Sequence, residues 1–271
     1  MRLRAVILFL VIGTTVGCNA YYSDFGFTGS PPDHSKFDGL LKTYVDSTGW
    51  VDYPGLLSSR DQLRQYLSLL SKNPPDSSWS QQEKLAYWIN TYNAFTIELV
   101  LQHYPIQSIR EIGSSIQIPF VNSPWDIKFI EIGDRLIDLN HIEHSILRAQ
   151  FDEPRIHFAI NCASISCPKL LNGAYRAENL DEQLERQTKA FINDPTRNQI
   201  GMDKVRVSRI FTWFQSDFTE KGSLLDYLSA YSTVRISNNA IIRYLEYDWS
   251  LNEAKYFVPL TSPAPSRNPA D

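Results

Sequence analysis

Arg155-Ile156-His157-Phe158-Ala159-Ile160-Asn161-Cys162-Ala163-Ser164-Ile165-Ser166-Cys167-Pro168 is an apolar, partly β-branched run that breaks into small, polar and sulfur-bearing residues. It predicts a buried strand handing over to a loop at Cys162, and reactive side chains are often positioned at such strand ends. The stretch holds two of the three cysteines and one of the five histidines in 271 residues.

Outward from it, other elements fall on both sides. Helical spacing recurs at Leu40, Leu41, Tyr44 and Val45, and again at Leu63, Tyr66, Leu67 and Leu70. Ser80-Gln81-Gln82-Glu83 is a capping box, and the helix it opens is apolar on nearly all sides through Leu101. Asn90 and Asn93 are therefore expected inside, where an unpaired amide costs about 1–3 kcal/mol. Trp125 to Ile132, Gly133-Asp134 and Arg135 to Leu139 predict a β-hairpin. A helix is expected from about Asn140 to Gln150, another from Leu180 to Ile192 and a helical stretch from Phe211 to Tyr231. Lys204 to Ser208 and Arg243 to Trp249 read as extended. Helices and strands interleave irregularly, so the expected class is α+β: one domain, helix-rich in its first half, with a small antiparallel or mixed sheet.

The chain ends are of different character. Residues 1–17 carry Arg2 and Arg4, an apolar run and small residues, the layout of an export signal too short to span a membrane permanently. Gly17-Cys18 resembles a bacterial lipoprotein processing site, although Thr15 stands where that pattern prefers Leu. Cys18 is then the lipidated N-terminus, and Asn19 in place of Asp points to the outer membrane, facing the periplasm. Residues 18–35 are expected to be the lipidated cysteine and a tether, 36–255 the folded domain and 256–271 a disordered tail. Loss of the two signal arginines takes the net charge of −4 two units further negative. No basic run is present to track a phosphate backbone, which argues against nucleic acid as partner. The expected partners are a membrane, through the anchor, and a peptide, glycan or other envelope ligand. No cofactor is expected.

Several blocks carry a family resemblance. Glu83-Lys84-Leu85-Ala86-Tyr87-Trp88-Ile89-Asn90-Thr91-Tyr92-Asn93-Ala94 and the His157-to-Pro168 segment resemble the hallmark blocks of the domain-of-unknown-function 547 family. So do Ile142 to Arg148, Ile210 to Phe214 and Tyr247 to Asn252, and the resemblance runs from about Phe37 to Asn252. It implies an envelope member of a family whose name assigns no reaction.

Three chemistries suit the cysteine segment. In the first, Cys162 or Cys167 is a nucleophile for acyl transfer, helped by a base or a helix N-terminus. Pro168, favoured at a first helical position, would make Cys167 such a cap. Candidate bases are His141, His144 and His157. All precede the cysteines, which excludes a papain-like order. On a regular strand His157 and Cys162 face opposite ways, so His144 is the preferred base, with Glu143 and Asn161 as orienting groups. In the second, the protein is a non-catalytic envelope binding or scaffold protein, and Cys162 and Cys167 form a structural disulfide, worth about 2 kcal/mol for so short a loop. A redox-active pair is disfavoured there, because the spacing is C-x4-C and not C-x-x-C. In the third, His141 and His144 on one helix face, with His157 or a thiolate, hold a metal. Asn90 and Asn93 are expected to support the site through backbone hydrogen bonds, with an oxyanion contact as the functional alternative. Glu143 with Arg148 is expected as an internal ion pair if neither is catalytic.

Overall fold

The computed structural model describes residues 29–114 and 121–254. The expected export signal, Cys18, the first part of the expected tether and the whole of the expected tail lie outside the described residues. The segment read as a tether is packed from Gly29 onward. Gly29 bonds Asp76 and Trp79 through its backbone, and His34 is buried against Tyr66 at 2.7 Å.

Helix α1 (Ser35–Tyr44) packs on α2 (Tyr53–Ser58) and α3 (Arg60–Lys72), and α2 and α3 pack on α4 (Gln81–His103); α1, α3 and α4 follow the apolar spacing of the sequence, whereas α2 was not expected. The capping box starts α4 as expected. Ser80 accepts the Glu83 N–H at 3.2 Å, and the Glu83 carboxylate accepts the Ser80 N–H at 2.6 Å. Being apolar on all sides, α4 is buried on all sides from Lys84 to Leu101 and forms the axis of the larger core. The β-hairpin joins β1 (Ile130–Ile132) to β2 (Arg135–Ile137), with Ile130 opposite Ile137 and Gly133 at φ 60° in the turn. Its strands are shorter than the alternation suggested. Ser123 and Asp126 form a capping box on a 3₁₀ turn, Pro124–Asp126, which takes Trp125 and Asp126 out of the ladder.

A second core gathers Phe158, Phe191, Val205, Val207, Phe211, Phe218 and Leu228. Around it stand α6 (Leu180–Ile192), α7 (Ile210–Trp213), α8 (Gln215–Thr219) and α9 (Leu224–Tyr231). A three-stranded sheet completes it, with β4 (Lys204–Val207) between antiparallel β3 (Gln199–Ile200) and parallel β5 (Ile241–Tyr244). The sheet is thus mixed and the fold α+β in a single domain. The helical stretch expected from Phe211 to Tyr231 is divided because Ser223 and Asp226 cap a fresh start at α9. The extended segment expected at Arg243 to Trp249 pairs in the sheet only at its beginning. No helix among the described residues is long and apolar enough to cross a membrane.

Two expectations for the cysteine segment are corrected. Pro154–Phe158 is a 3₁₀ helix, not a strand, opened by Pro154 and by the Glu153 carboxylate on the Arg155 N–H. A short apolar run does not distinguish a buried strand from a buried turn, and no strand among the described residues pairs with it. The chain after Pro168 is irregular, so Cys167 caps no helix.

What replaces the missing strand partner is α4. The Asn93 amide donates to Ala159 O at 3.0 Å and accepts the Asn161 N–H at 2.8 Å. Asn90 does the same for Tyr175, at 2.8 and 2.9 Å. Each side chain imitates one peptide unit of an absent strand. Asn93→Ala leaves a buried N–H and C=O without partners and is expected to lower unfolding free energy by about 2–4 kcal/mol in urea denaturation. On the same helix the Thr96 hydroxyl is buried without a partner among the described residues. Thr96→Val is expected to raise stability by about 1 kcal/mol.

Candidate active site

The backbone after Asn161 turns sharply. Asn161 Oδ1 accepts the Ala163 N–H at 2.8 Å, which holds Ala163 at φ 60°, a left-handed conformation rare for a residue with a Cβ. The Cys167 N–H then closes a turn on Ser164 O at 3.1 Å. Neighbours fix the loop from outside. Asn161 Nδ2 donates to Pro168 O, Arg197 donates to the carbonyls of Ile165 and Cys167, and Ile165 and Ser166 donate to the 248–250 backbone. Asn161 is thus a loop-shaping residue and orients no histidine through these bonds.

This turn brings the sulfurs together. Cys162 Sγ lies 2.8 Å from Cys167 Sγ, both cysteines being free thiols, and the Cys162 N–H donates to Cys167 Sγ at 2.9 Å. Ser164 Oγ at 3.2 Å and the Tyr247 hydroxyl at 3.3 Å complete the surroundings of Cys162. Burial alone would push the Cys162 thiol up. The hydrogen bonds from Cys167, Ser164 and Tyr247 outweigh it and bring the group down to about 7. Burial and the neighbouring Cys162 charge drive Cys167 the other way, well above the ordinary thiol range. One thiol is prepared as an anion and its neighbour as a donor.

The helix that supplies the next groups is wound unusually. His141–Leu147 is a π-helix, shown by the Arg148 N–H bonding Glu143 O five residues back, and it continues into α5 (Arg148–Gln150). Such wide turns occur often at functional sites. Glu143 points inward, where burial and the charge of Cys162 push its carboxyl up to about 7, and Tyr92 donates to it at 3.3 Å. Arg148 makes no ion pair with Glu143. Its guanidinium instead grips Asp217 of α8 bidentately, at 2.6 and 2.7 Å.

Asp217 also takes the His157 Nε2–H at 2.8 Å. Burial keeps His157 neutral below its ordinary pKa despite that carboxylate, so Nδ1 carries a lone pair and has no partner among the described residues. The ring is stacked on Phe214, centroids 4.0 Å apart. His144 is held differently. Arg148 lies 2.9 Å from its Nδ1, and burial together with Arg148 pushes the imidazole down to about 4. That makes His144 a weak base at neutral pH, and the unbonded Nδ1 of His157 is itself buried. Among the described residues no three His, Cys, Asp or Glu side chains are grouped to hold a metal ion.

Cys162, Glu143, His144 and His157 all open onto one cavity of about 540 Å³, most of it apolar. Trp125, Trp213, Tyr247 and Trp249 form its aromatic wall, with ring centroids 4.5–5.7 Å apart. His141 is not among the lining residues, and Asn90 and Asn93 support the site from behind. Asp217, Ser164, Tyr92 and Tyr247 were not identified from the sequence. Tyr247 stood in one of the quoted blocks, whereas Asp217 looks like any charged residue of an exposed helix.

Residues 77–192 match the family model described as "Protein of unknown function, DUF547". The match spans α4, the π-helix and the cysteine loop, and so supports the family that the sequence blocks resemble. No curated protein and no solved structure matches the chain.

Iodoacetamide labelling of Cys162 is expected to be half-maximal near pH 7, against about 8.5 for an ordinary thiol, with Cys167 unlabelled. Tyr247→Phe removes a donor to the sulfur and is expected to move the Cys162 midpoint upward. A pH series read by peptide mass spectrometry checks both.

Proposed function

We propose that the protein is an exported, lipid-anchored envelope protein, attached through Cys18, probing the periplasmic face of the outer membrane with a domain at residues 36–255. Within that domain we propose a thiol-dependent hydrolase or acyl transferase with Cys162 as nucleophile. The observation that carries the reading is a thiol brought down to about 7 at the base of a largely aromatic cavity. A structural scaffold has no use for that combination, since burial by itself would leave the thiol neutral and inert.

The residues supply each step of acyl transfer. The Cys162 thiolate attacks an ester or amide carbonyl, and the hydroxyls of Tyr247 and Ser164 turn from the sulfur to the oxyanion that develops beside it. Glu143, protonated at about half occupancy near neutral pH, gives its proton to the leaving group. The Glu143 carboxylate left by that step takes a proton from the incoming water or alcohol that releases the acyl group, while His157, held by Asp217, forms part of the cavity wall. The aromatic wall excludes water and receives an apolar or flat acyl donor among the peptides, glycans and other ligands of the envelope.

Activated acyl esters of p-nitrophenol test the chemistry. The expected result is a burst of nitrophenol with an acyl adduct on Cys162, abolished by Cys162→Ser. Cys162 acts deprotonated and Glu143 protonated, so the rate is expected to rise and then fall with pH, centred near 7. Turnover that survives Cys162→Ser, with no adduct on that residue, would sink the reading. The anchor is tested separately: globomycin should retain the slower-migrating precursor, and an unchanged band would count against lipidation.

A further inference from the structure

We infer that Cys167 is a resolving thiol, so that a disulfide reagent converts the Cys162–Cys167 pair reversibly into an intramolecular disulfide and switches the nucleophile off. This rests on the reading of Cys162 as the reactive thiol. It extends that reading from a single nucleophile to a dithiol centre with two states.

The geometry argues for it in three ways. The two sulfurs are already 2.8 Å apart as free thiols, so joining them needs a small approach and no rearrangement of the chain. Both cysteines line the cavity, but their exposure is unequal: Cys162 is only half-buried, whereas Cys167 is 4 % exposed. An incoming disulfide therefore meets Cys162 first. The backbone also serves the second sulfur, because the Cys162 N–H points at Cys167 Sγ and stabilises negative charge there. The C-x4-C spacing is no obstacle. The left-handed Ala163 and the Ser164 turn fold the four intervening residues back on themselves, doing what a helix N-terminus does for a closer pair.

The exchange balances as follows. The Cys162 thiolate attacks one sulfur of a low-mass or protein disulfide, forming a mixed disulfide and releasing one thiolate. That thiolate takes the proton of Cys167, whose sulfur then attacks Cys162 Sγ and expels the second thiolate, which is protonated by solvent. Two electrons pass from the cysteines to the reagent. The thiolate required for acyl transfer is consumed, and a reducing thiol restores it. An exported protein meets disulfide reagents in its own compartment, so the two states are both within reach.

The test uses reduced protein carrying Cys18→Ser, so that only Cys162 and Cys167 bear thiols, and oxidised glutathione, followed by intact mass. The expected course is a transient glutathione adduct on Cys162 that gives way to a species lighter by two hydrogens, unreactive to iodoacetamide and restored by dithiothreitol. Cys167→Ser is expected to stop at the stable adduct, with unchanged circular dichroism. A protein with both thiols that keeps the adduct as Cys167→Ser does would overturn the inference, as would two thiols that stay free at equilibrium with excess reagent. These results separate from failure of the acyl-transfer reading. Acylation of Cys162 without resolution removes this inference alone, and rapid resolution without any acyl adduct removes the other.

Discussion

Everything at the site depends on one substituted pair of hydrogen bonds. The backbone from Ala159 to Asn161 lies in the core with no strand beside it among the described residues, and each of its polar groups left unpaired there would cost about 1–3 kcal/mol. Asn93, fixed on the rigid axis of α4, supplies both the donor and the acceptor. Because a side chain satisfies the backbone there, the chain is free to bend immediately afterwards. The left-handed Ala163, the turn at Ser164 and the meeting of the two sulfurs all follow from that bend. A real strand would have pointed Cys162 and His157 to opposite faces and kept the cysteines apart.

The electrostatics of the cavity come from the same economy of partners. Cys162, Glu143, His144 and His157 sit around one small apolar space, and burial is the largest single influence on each. Hydrogen-bond donors pull Cys162 back down, while Glu143 receives a single tyrosine hydroxyl and stays near neutrality. Asp217 alone is driven far into the ionised form, by Arg148, His157 and Ser216, which together outweigh its partial burial. The site therefore holds one firm carboxylate, one undecided carboxyl and one undecided thiol. Such spreading of titration behaviour among close neighbours is characteristic of proton-handling sites.

The readable part of the sequence was the part governed by local rules. The Ser80–Glu83 box, the all-round apolar helix after it and the Gly133-Asp134 hairpin follow from short-range chemistry, and the structure contains all three. The buried asparagines were legible because an amide inside such a helix requires a partner. The cysteine segment was misread because β-branched residues suit a buried turn as well as a strand, and only the absence of a neighbouring strand decides. The π-winding of His141–Leu147 was hidden for a related reason: nothing in Ile142 to Arg148 marks which carbonyl each N–H will choose. Asp217 was out of reach altogether, since its partners lie 60 and 69 residues away along the chain.

Arg148 and Asp217 also join the two hydrophobic cores, since Arg148 extends the helix packed on α4 and Asp217 belongs to α8 beside the phenylalanine cluster. The cavity thus occupies a seam, with Tyr92 contributed from one side and Phe214 from the other. A molecule lodged in it touches both halves at once and so acts as mortar. By mass action, occupancy at a hundred times the dissociation constant adds about 2.7 kcal/mol to the folded state, enough to register as a rise in melting temperature. The protein's own cohesion therefore reports on any molecule that lodges there.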